Sequence, residues 1–90
     1  MADRLIPREI IETPLYQAEA SQLGFGAKEL DEKLKDLLFV IARVPEEFPT
    51  VGATGLRVAH YTQNPSLRLY FTSTPTHITL LSIERVPLDA

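Results

Sequence analysis

The sequence predicts a small α+β domain with a short N-terminal strand, a two-helix hairpin and then a three-stranded antiparallel meander. Apolar residues recur at helical spacing through residues 27–43, which predicts an amphipathic helix. Residues 56–86 contain three runs rich in strand-forming residues, separated by short turn sequences. A length of 90 residues corresponds to one domain, so we assign residues 1–90 to a single unit.

The N-terminal region is predicted to hold one strand and one helix. Pro7 cannot donate to a β-ladder, so the strand is placed just after it, at residues 8–12. Thr13 and Pro14 are a favoured cap and first position of a helix, which we place at residues 14–23. Its apolar side chains, which we expect to face the core, are Leu15, Ala18, Ala20 and Leu23.

The longest helix is predicted at residues 27–43. Pro45 ends it near Arg43, because the residue before a proline disfavours the helical conformation. Residues 45–55 then form an ordered loop. The stripe expected to pack in the core consists of Leu30, Leu34, Leu37, Leu38 and Ile41.

Three strands are predicted at residues 56–62, 67–73 and 77–86, and their short connections require antiparallel neighbours. Side chains alternate between the faces of a strand. We pair Thr62 with Leu67, because this register collects the apolar residues of the first two strands on one side. Two arginines and two tyrosines then share the other side, namely Arg57, Tyr61, Arg68 and Tyr70.

The last strand has apolar residues on both of its sides, so the face of Arg85 stays open. The Arg/Tyr surface has three interpretations: solvated arginines paired with Glu84, a docking surface for a partner, or a site for phosphate or RNA. The same register places His60 at the rim of the core, and His77 lies at a turn. No acidic neighbour stands at ligand spacing from either histidine, so we expect no metal site and no cofactor.

Composition limits the class of protein. Without cysteine there is no disulfide framework and no thiolate site. The N-terminal segment has no apolar stretch of secretory length, and no run approaches membrane-spanning length, so we expect a cytoplasmic protein that does not enter a membrane. The net charge is −3, yet residues 51–90 carry three arginines against two acids. Any anion-binding surface is therefore expected on the strands.

Several segments resemble the RelE/ParE superfamily of bacterial toxins from toxin–antitoxin modules. They are LDEKLKDLLFVIARVPEEFP, a helix ended by a proline turn, followed by GLRV, LRLYF and ITLLSIE. LRLYF is similar to the central-strand motif of that family, with Arg68 at the arginine position. The order of elements over residues 10–86 matches as well. The resemblance therefore implies a RelE/ParE-like fold.

The resemblance also implies a function. In RNA-cleaving members, basic strand residues stabilise the charge of the scissile phosphate, and Arg57, Arg68 and approximately Arg85 match such positions. Two features depart from the family pattern: Ala59 stands at a basic position, and VPLDA replaces the basic, tyrosine-containing C-terminal segment. The implied partners are an antitoxin and RNA or the ribosome, with gyrase as the target of another branch. The alternative is a non-catalytic interaction module on the same fold, a degenerate toxin or a homodimer.

Overall fold

The computed structural model describes residues 6–63 and 66–87 and confirms the predicted α+β fold. Each element lies where the sequence pattern places it, to within two residues. The helices are α1 (Pro14–Gln22) and α2 (Ala27–Arg43), followed by a 3₁₀ turn at Pro45–Glu47. The strands are β1 (Glu9–Glu12), β2 (Arg57–Tyr61), β3 (Leu67–Ser73) and β4 (His77–Arg85).

The strands form one four-stranded mixed sheet in the order β1-β4-β3-β2. The meander of β2, β3 and β4 is antiparallel, as predicted. β1 joins it in parallel beside β4, with Ile10 opposite Ile78. The sequence predicts strand β1 but not its pairing with β4, because parallel strands are joined by a long connection and their pairing leaves no local sequence signal.

Both helices pack on one face of the sheet, and the core lies between the helices and the sheet. Three residues of the predicted α2 stripe, Leu30, Leu34 and Ile41, are buried, and the other two pack against the core. In α1 the prediction was wrong in part, because Leu15 is 58% exposed, Ala18 is exposed too, and Tyr16 is the buried residue. The opposite face of the sheet, which we call the outer face, carries exposed and half-buried side chains.

The predicted register of β2 was wrong by one residue. Leu67 pairs with Tyr61, not with Thr62, and Arg57 lies opposite Phe71. Because side chains alternate, a shift of one residue exchanges the two faces of the strand. Ala59 is accordingly buried, whereas His60 is exposed on the outer face.

β4 changes face within its own length. Phe71 pairs with Leu80 and Tyr70 pairs with Ser82, so Leu81 is an extra residue at a β-bulge. The bulge restores an inward direction to Ile83 after Ile78 and Leu80, and all three are buried. Before the bulge the side chains at even-numbered positions point to the core, and after it those at odd-numbered positions do.

Neither helix in the described part of the chain is both long enough and apolar enough to cross a membrane.

Candidate functional site on the outer face of the sheet

Three polar side chains on the outer face of β3 and β4 form a closed hydrogen-bonded triangle. Nη1 of Arg68 donates to Oε2 of Glu84 at 2.9 Å and to the Tyr70 hydroxyl at 3.2 Å. The Tyr70 hydroxyl donates to the same Oε2 at 3.0 Å. Residues 68 and 70 share a face because they are two positions apart in β3, and the sheet register sets Glu84 opposite Arg68.

His60 lies beside this triangle. It is the direct cross-strand neighbour of Arg68, in the pairing of β2 with β3. Such neighbours on one face have Cβ atoms about 4.5–5.5 Å apart, close enough to act on one bound group. The outer-face cluster is therefore defined as His60, Arg68, Tyr70 and Glu84.

The cluster holds a permanent positive charge next to groups that can move protons. The hydrogen bond with Tyr70, and then the negative charge of Glu84, raise the pKa of Arg68, so its guanidinium stays protonated. A guanidinium recognises phosphate oxygens well. An imidazole is the side chain that exchanges protons most readily near neutral pH, and a phenol can donate a hydrogen bond to an oxyanion.

Arg57 and Tyr61 do not belong to this cluster, which corrects the predicted four-residue surface. Arg57 projects toward the helix side of the sheet, where its Nη1 donates to the carbonyl oxygen of Phe48 at 2.6 Å. Tyr61 packs against the core cluster. Both lie on the other face because of the one-residue register difference in β2.

Arg85 also lies apart from Arg68. Its Cα pairs with that of the buried Leu67, and its Nη2 donates to the carbonyl oxygen of Leu23, just after α1, at 3.2 Å. The side chain is exposed and fastens the end of β4 to the helix hairpin. Of the three arginines predicted to act together, only Arg68 projects from the outer face.

The second histidine is at the opposite end of the sheet. Nε2 of His77 is 3.5 Å from a carboxylate oxygen of Glu9, and its Nδ1 is 2.7 Å from the Thr76 hydroxyl. Among the described residues, no three His, Asp or Glu side chains are grouped so that they could hold a metal ion.

His60 also borders an open cleft of about 450 Å³ between α2 and the end of β2. Lys33 and Asp36 of α2 line the far wall. His60 belongs to β2, an edge strand of the sheet, and its side chain is exposed.

No family model matches the chain, and no curated protein matches it. Among solved structures, the chain is similar to the solution structure of the conserved hypothetical protein HP0894 of Helicobacter pylori. The TM-score is 0.59 at 17% sequence identity, with 87% of this chain and 93% of that chain covered. At this identity the likeness shows a shared fold.

Proposed function

We propose that this protein is a RelE/ParE-like toxin component that cleaves RNA without a metal ion at the outer-face cluster. The position of His60 beside Arg68 carries the proposal, because it puts a proton acceptor next to a phosphate-binding cation. The similarity of LRLYF and its flanking segments to that superfamily supports the proposal, and the likeness to a solved bacterial protein over 87% of this chain supports the fold that the proposal assumes.

The proposed reaction is attack of a ribose 2′-oxygen on the neighbouring phosphorus. His60 accepts the proton of the 2′-hydroxyl as the new P–O bond forms. Arg68 binds the non-bridging oxygens, which gain negative charge in the transition state. In the bound state the Tyr70 hydroxyl donates its hydrogen bond to a non-bridging oxygen. As the bond from phosphorus to the 5′-oxygen breaks, this hydroxyl turns and gives its proton to the departing 5′-oxygen. Solvent then returns a proton from His60 to Tyr70. The products are a 2′,3′-cyclic phosphate and a free 5′-hydroxyl.

An antitoxin is part of the same proposal. A protein that cleaves cellular RNA must be held inactive during growth, and the outer face of the sheet is open to a covering segment. We place the activity in the cytoplasm, where messenger RNA and the ribosome are available. The partner's contact surface is expected to include Arg68, because covering this residue blocks the proposed site.

The proposal is tested by inducing the protein alone in bacteria, where we expect growth arrest. Arg68→Ala should relieve the arrest, while the matched control Arg85→Ala should keep it, because Arg85 lies on the other side of the sheet. His60→Gln and His77→Gln form a second pair with the same expected contrast. Circular dichroism of each purified variant checks that it folds.

Equal arrest by the wild type and Arg68→Ala would contradict the proposed site. Loss of arrest in both histidine variants would show that His60 has no special role. A purified protein that leaves RNA intact in the absence and presence of ribosomes would contradict the cleavage reaction itself.

The second candidate is a non-catalytic interaction module, and the closed triangle of Arg68, Tyr70 and Glu84 favours it. Exposed arginine and tyrosine side chains are frequent anchors of protein interfaces. This candidate predicts no growth arrest at any level of induction. It also predicts a stable homodimer or complex, measured by light scattering after size-exclusion chromatography and disrupted by Arg68→Ala.

A further inference from the structure

We infer that the Glu84 carboxylate is a built-in competitor for the anion position of Arg68, so that a bound phosphate group must displace it. The inference rests on the proposed phosphate-binding role of Arg68. It assigns to Glu84 the control of how tightly the outer-face cluster takes an anionic ligand.

The first support is the convergence of two donors on one oxygen. Arg68 Nη1 and the Tyr70 hydroxyl both point at Oε2 of Glu84, at 2.9 and 3.0 Å. A non-bridging phosphate oxygen accepts the same two hydrogen bonds with the same charge and similar distances. Oε2 thus stands where such an oxygen would bind.

The second support is that this ion pair can be displaced at little cost. Glu84 contacts a single nitrogen of the guanidinium, so the pair lacks the two parallel hydrogen bonds that make arginine–carboxylate pairs strong. The side chains of Arg68 and Glu84 are 34% and 47% exposed, and water weakens pairs of this kind. The Nε atom of Arg68 is buried and has no hydrogen-bond partner, so the pair leaves part of the guanidinium unused.

The third support is that the backbone of Glu84 is held opposite Arg68. Its Cα is paired with that of Arg68 across two adjacent strands of the sheet. When a phosphate takes the place of Oε2, the displaced carboxylate stays nearby and repels it. The competition therefore acts on every ligand that carries a phosphate group.

The test compares phosphate affinity in the wild type and Glu84→Gln, which keeps the size of the side chain and removes its charge. We expect Glu84→Gln to bind about 3- to 10-fold more tightly, the range that loss of a weak exposed ion pair together with nearby repulsion predicts. Glu9→Gln is the matched control, since Glu9 is an exposed glutamate of β1 in the same sheet and hydrogen-bonds to neither Arg68 nor Tyr70. Chemical-shift changes of the backbone amides of β3 and β4 report binding.

Two probes distinguish the source of the phosphate. One is inorganic phosphate, and the other is a short all-deoxy oligonucleotide, which lacks the 2′-hydroxyl and cannot be cleaved by the proposed reaction. Higher affinity of Glu84→Gln for both probes supports a nucleic-acid phosphate as the ligand. A gain with inorganic phosphate alone supports the competition and assigns the site to small anions.

The double variant Arg68→Ala/Glu84→Gln should not show the higher phosphate affinity of Glu84→Gln, because the competition operates through Arg68. Equal affinities of Glu84→Gln, Glu9→Gln and the wild type would overturn the inference, as would weaker binding by Glu84→Gln. Tighter phosphate binding by Glu84→Gln, together with no RNA cleavage by the wild type, would leave the competition standing and refute the proposed reaction. Absence of phosphate binding in every variant would refute both.

Discussion

Arg57 and Arg68 both follow a leucine and precede an apolar residue, yet they contact different parts of the protein. Arg57 donates a hydrogen bond of 2.6 Å to the carbonyl of Phe48. The ring of Phe48 packs edge-on against the buried Phe71, with centroids 5.7 Å apart. Arg57 therefore anchors the loop after α2 onto the sheet, whereas Arg68 is available for a ligand.

This difference predicts opposite consequences for two otherwise similar substitutions. Arg57→Ala should lower the free energy of unfolding by about 1.5–3 kcal/mol, since it removes a charge-assisted hydrogen bond to a half-buried carbonyl. Arg68→Ala should change it by no more than about 1 kcal/mol, as expected for an exposed pair. Urea denaturation measures both. A larger loss for Arg68→Ala than for Arg57→Ala would contradict the assigned roles.

Tyr16 gives a pH dependence that can be predicted with its sign. Burial, followed by the negative charges of Glu12 and Asp31, raises the pKa of its hydroxyl above the ordinary value of about 10. Above pH 10 the unfolded chain releases this proton while the folded chain keeps it, so stability falls as pH rises.

The expected slope for this one proton is about 1.4 kcal/mol per pH unit between the ordinary and the raised pKa. Tyr16→Phe cannot ionise and should lose that part of the slope. The measurement is urea denaturation of both proteins from pH 9 to 11.5. Parallel stability profiles would show that the hydroxyl titrates normally.

The contact of α1 with β4 determines how this edge of the sheet ends. β1 pairs only with the first half of β4, at residues 77–80, so the edge beyond the bulge needs another cover. α1 supplies it: a carboxylate oxygen of Glu19 accepts hydrogen bonds from the Ser82 hydroxyl at 2.7 Å and from the backbone nitrogen of Ile83 at 3.0 Å. Thr13 caps α1 and donates to the Leu80 carbonyl at 3.0 Å.

Removal of this carboxylate should therefore be costly although Glu19 lies on a helix surface. We expect Glu19→Ala to lower the free energy of unfolding by about 1.5–3 kcal/mol, because it leaves the Ile83 amide without its acceptor. Glu32→Ala, at an exposed position of α2, is the control and should stay within about 0.5 kcal/mol. Equal effects of the two substitutions would show that the edge of β4 finds another partner.

The hydrophobic patterns along the chain are sufficient to predict the helices, the strands and the antiparallel meander. They were not sufficient for the composition of the outer face. β2 has apolar residues on both of its faces, with Val58 on one and Ala59 and Tyr61 on the other. The hydrophobic pattern therefore allows either face to point inward, and a change of one residue in the pairing with β3 decides which face does. The true register buries Ala59 in the core, and the tertiary packing that favours this choice leaves no local signal.

The same ambiguity affected the candidate site. His60 was assigned to the rim of the core, and the corrected register brings it next to Arg68. The bulge at Leu81 directs Arg85 to the helix side and Glu84 to the outer face, a change that strict alternation could not predict. Arg68 and Tyr70 were placed correctly on one outer face, because β3 has a single apolar side.

The outer face of the sheet carries less positive charge than RNA-binding surfaces usually do. Of the Lys and Arg residues in the four strands, Arg57 and Arg85 project toward the helices and only Arg68 projects outward. The chain as a whole has a net charge of −3. On the proposed function, the outer face therefore offers one strand arginine to one phosphate, and long-range attraction along an RNA strand should contribute little.

The salt dependence of binding measures the number of phosphates that the protein neutralises. Each phosphate neutralised on a single strand contributes about −0.7 to the slope of log affinity against log salt concentration, so we expect a slope near −0.7 for this protein. Fluorescence anisotropy with a labelled all-deoxy oligonucleotide gives the slope. Arg68→Ala should flatten it toward zero, whereas Arg85→Ala should leave it unchanged, since that side chain contacts the end of α1. A slope of about −3 or steeper would show that several phosphates are bound at once, which a single outward arginine cannot do.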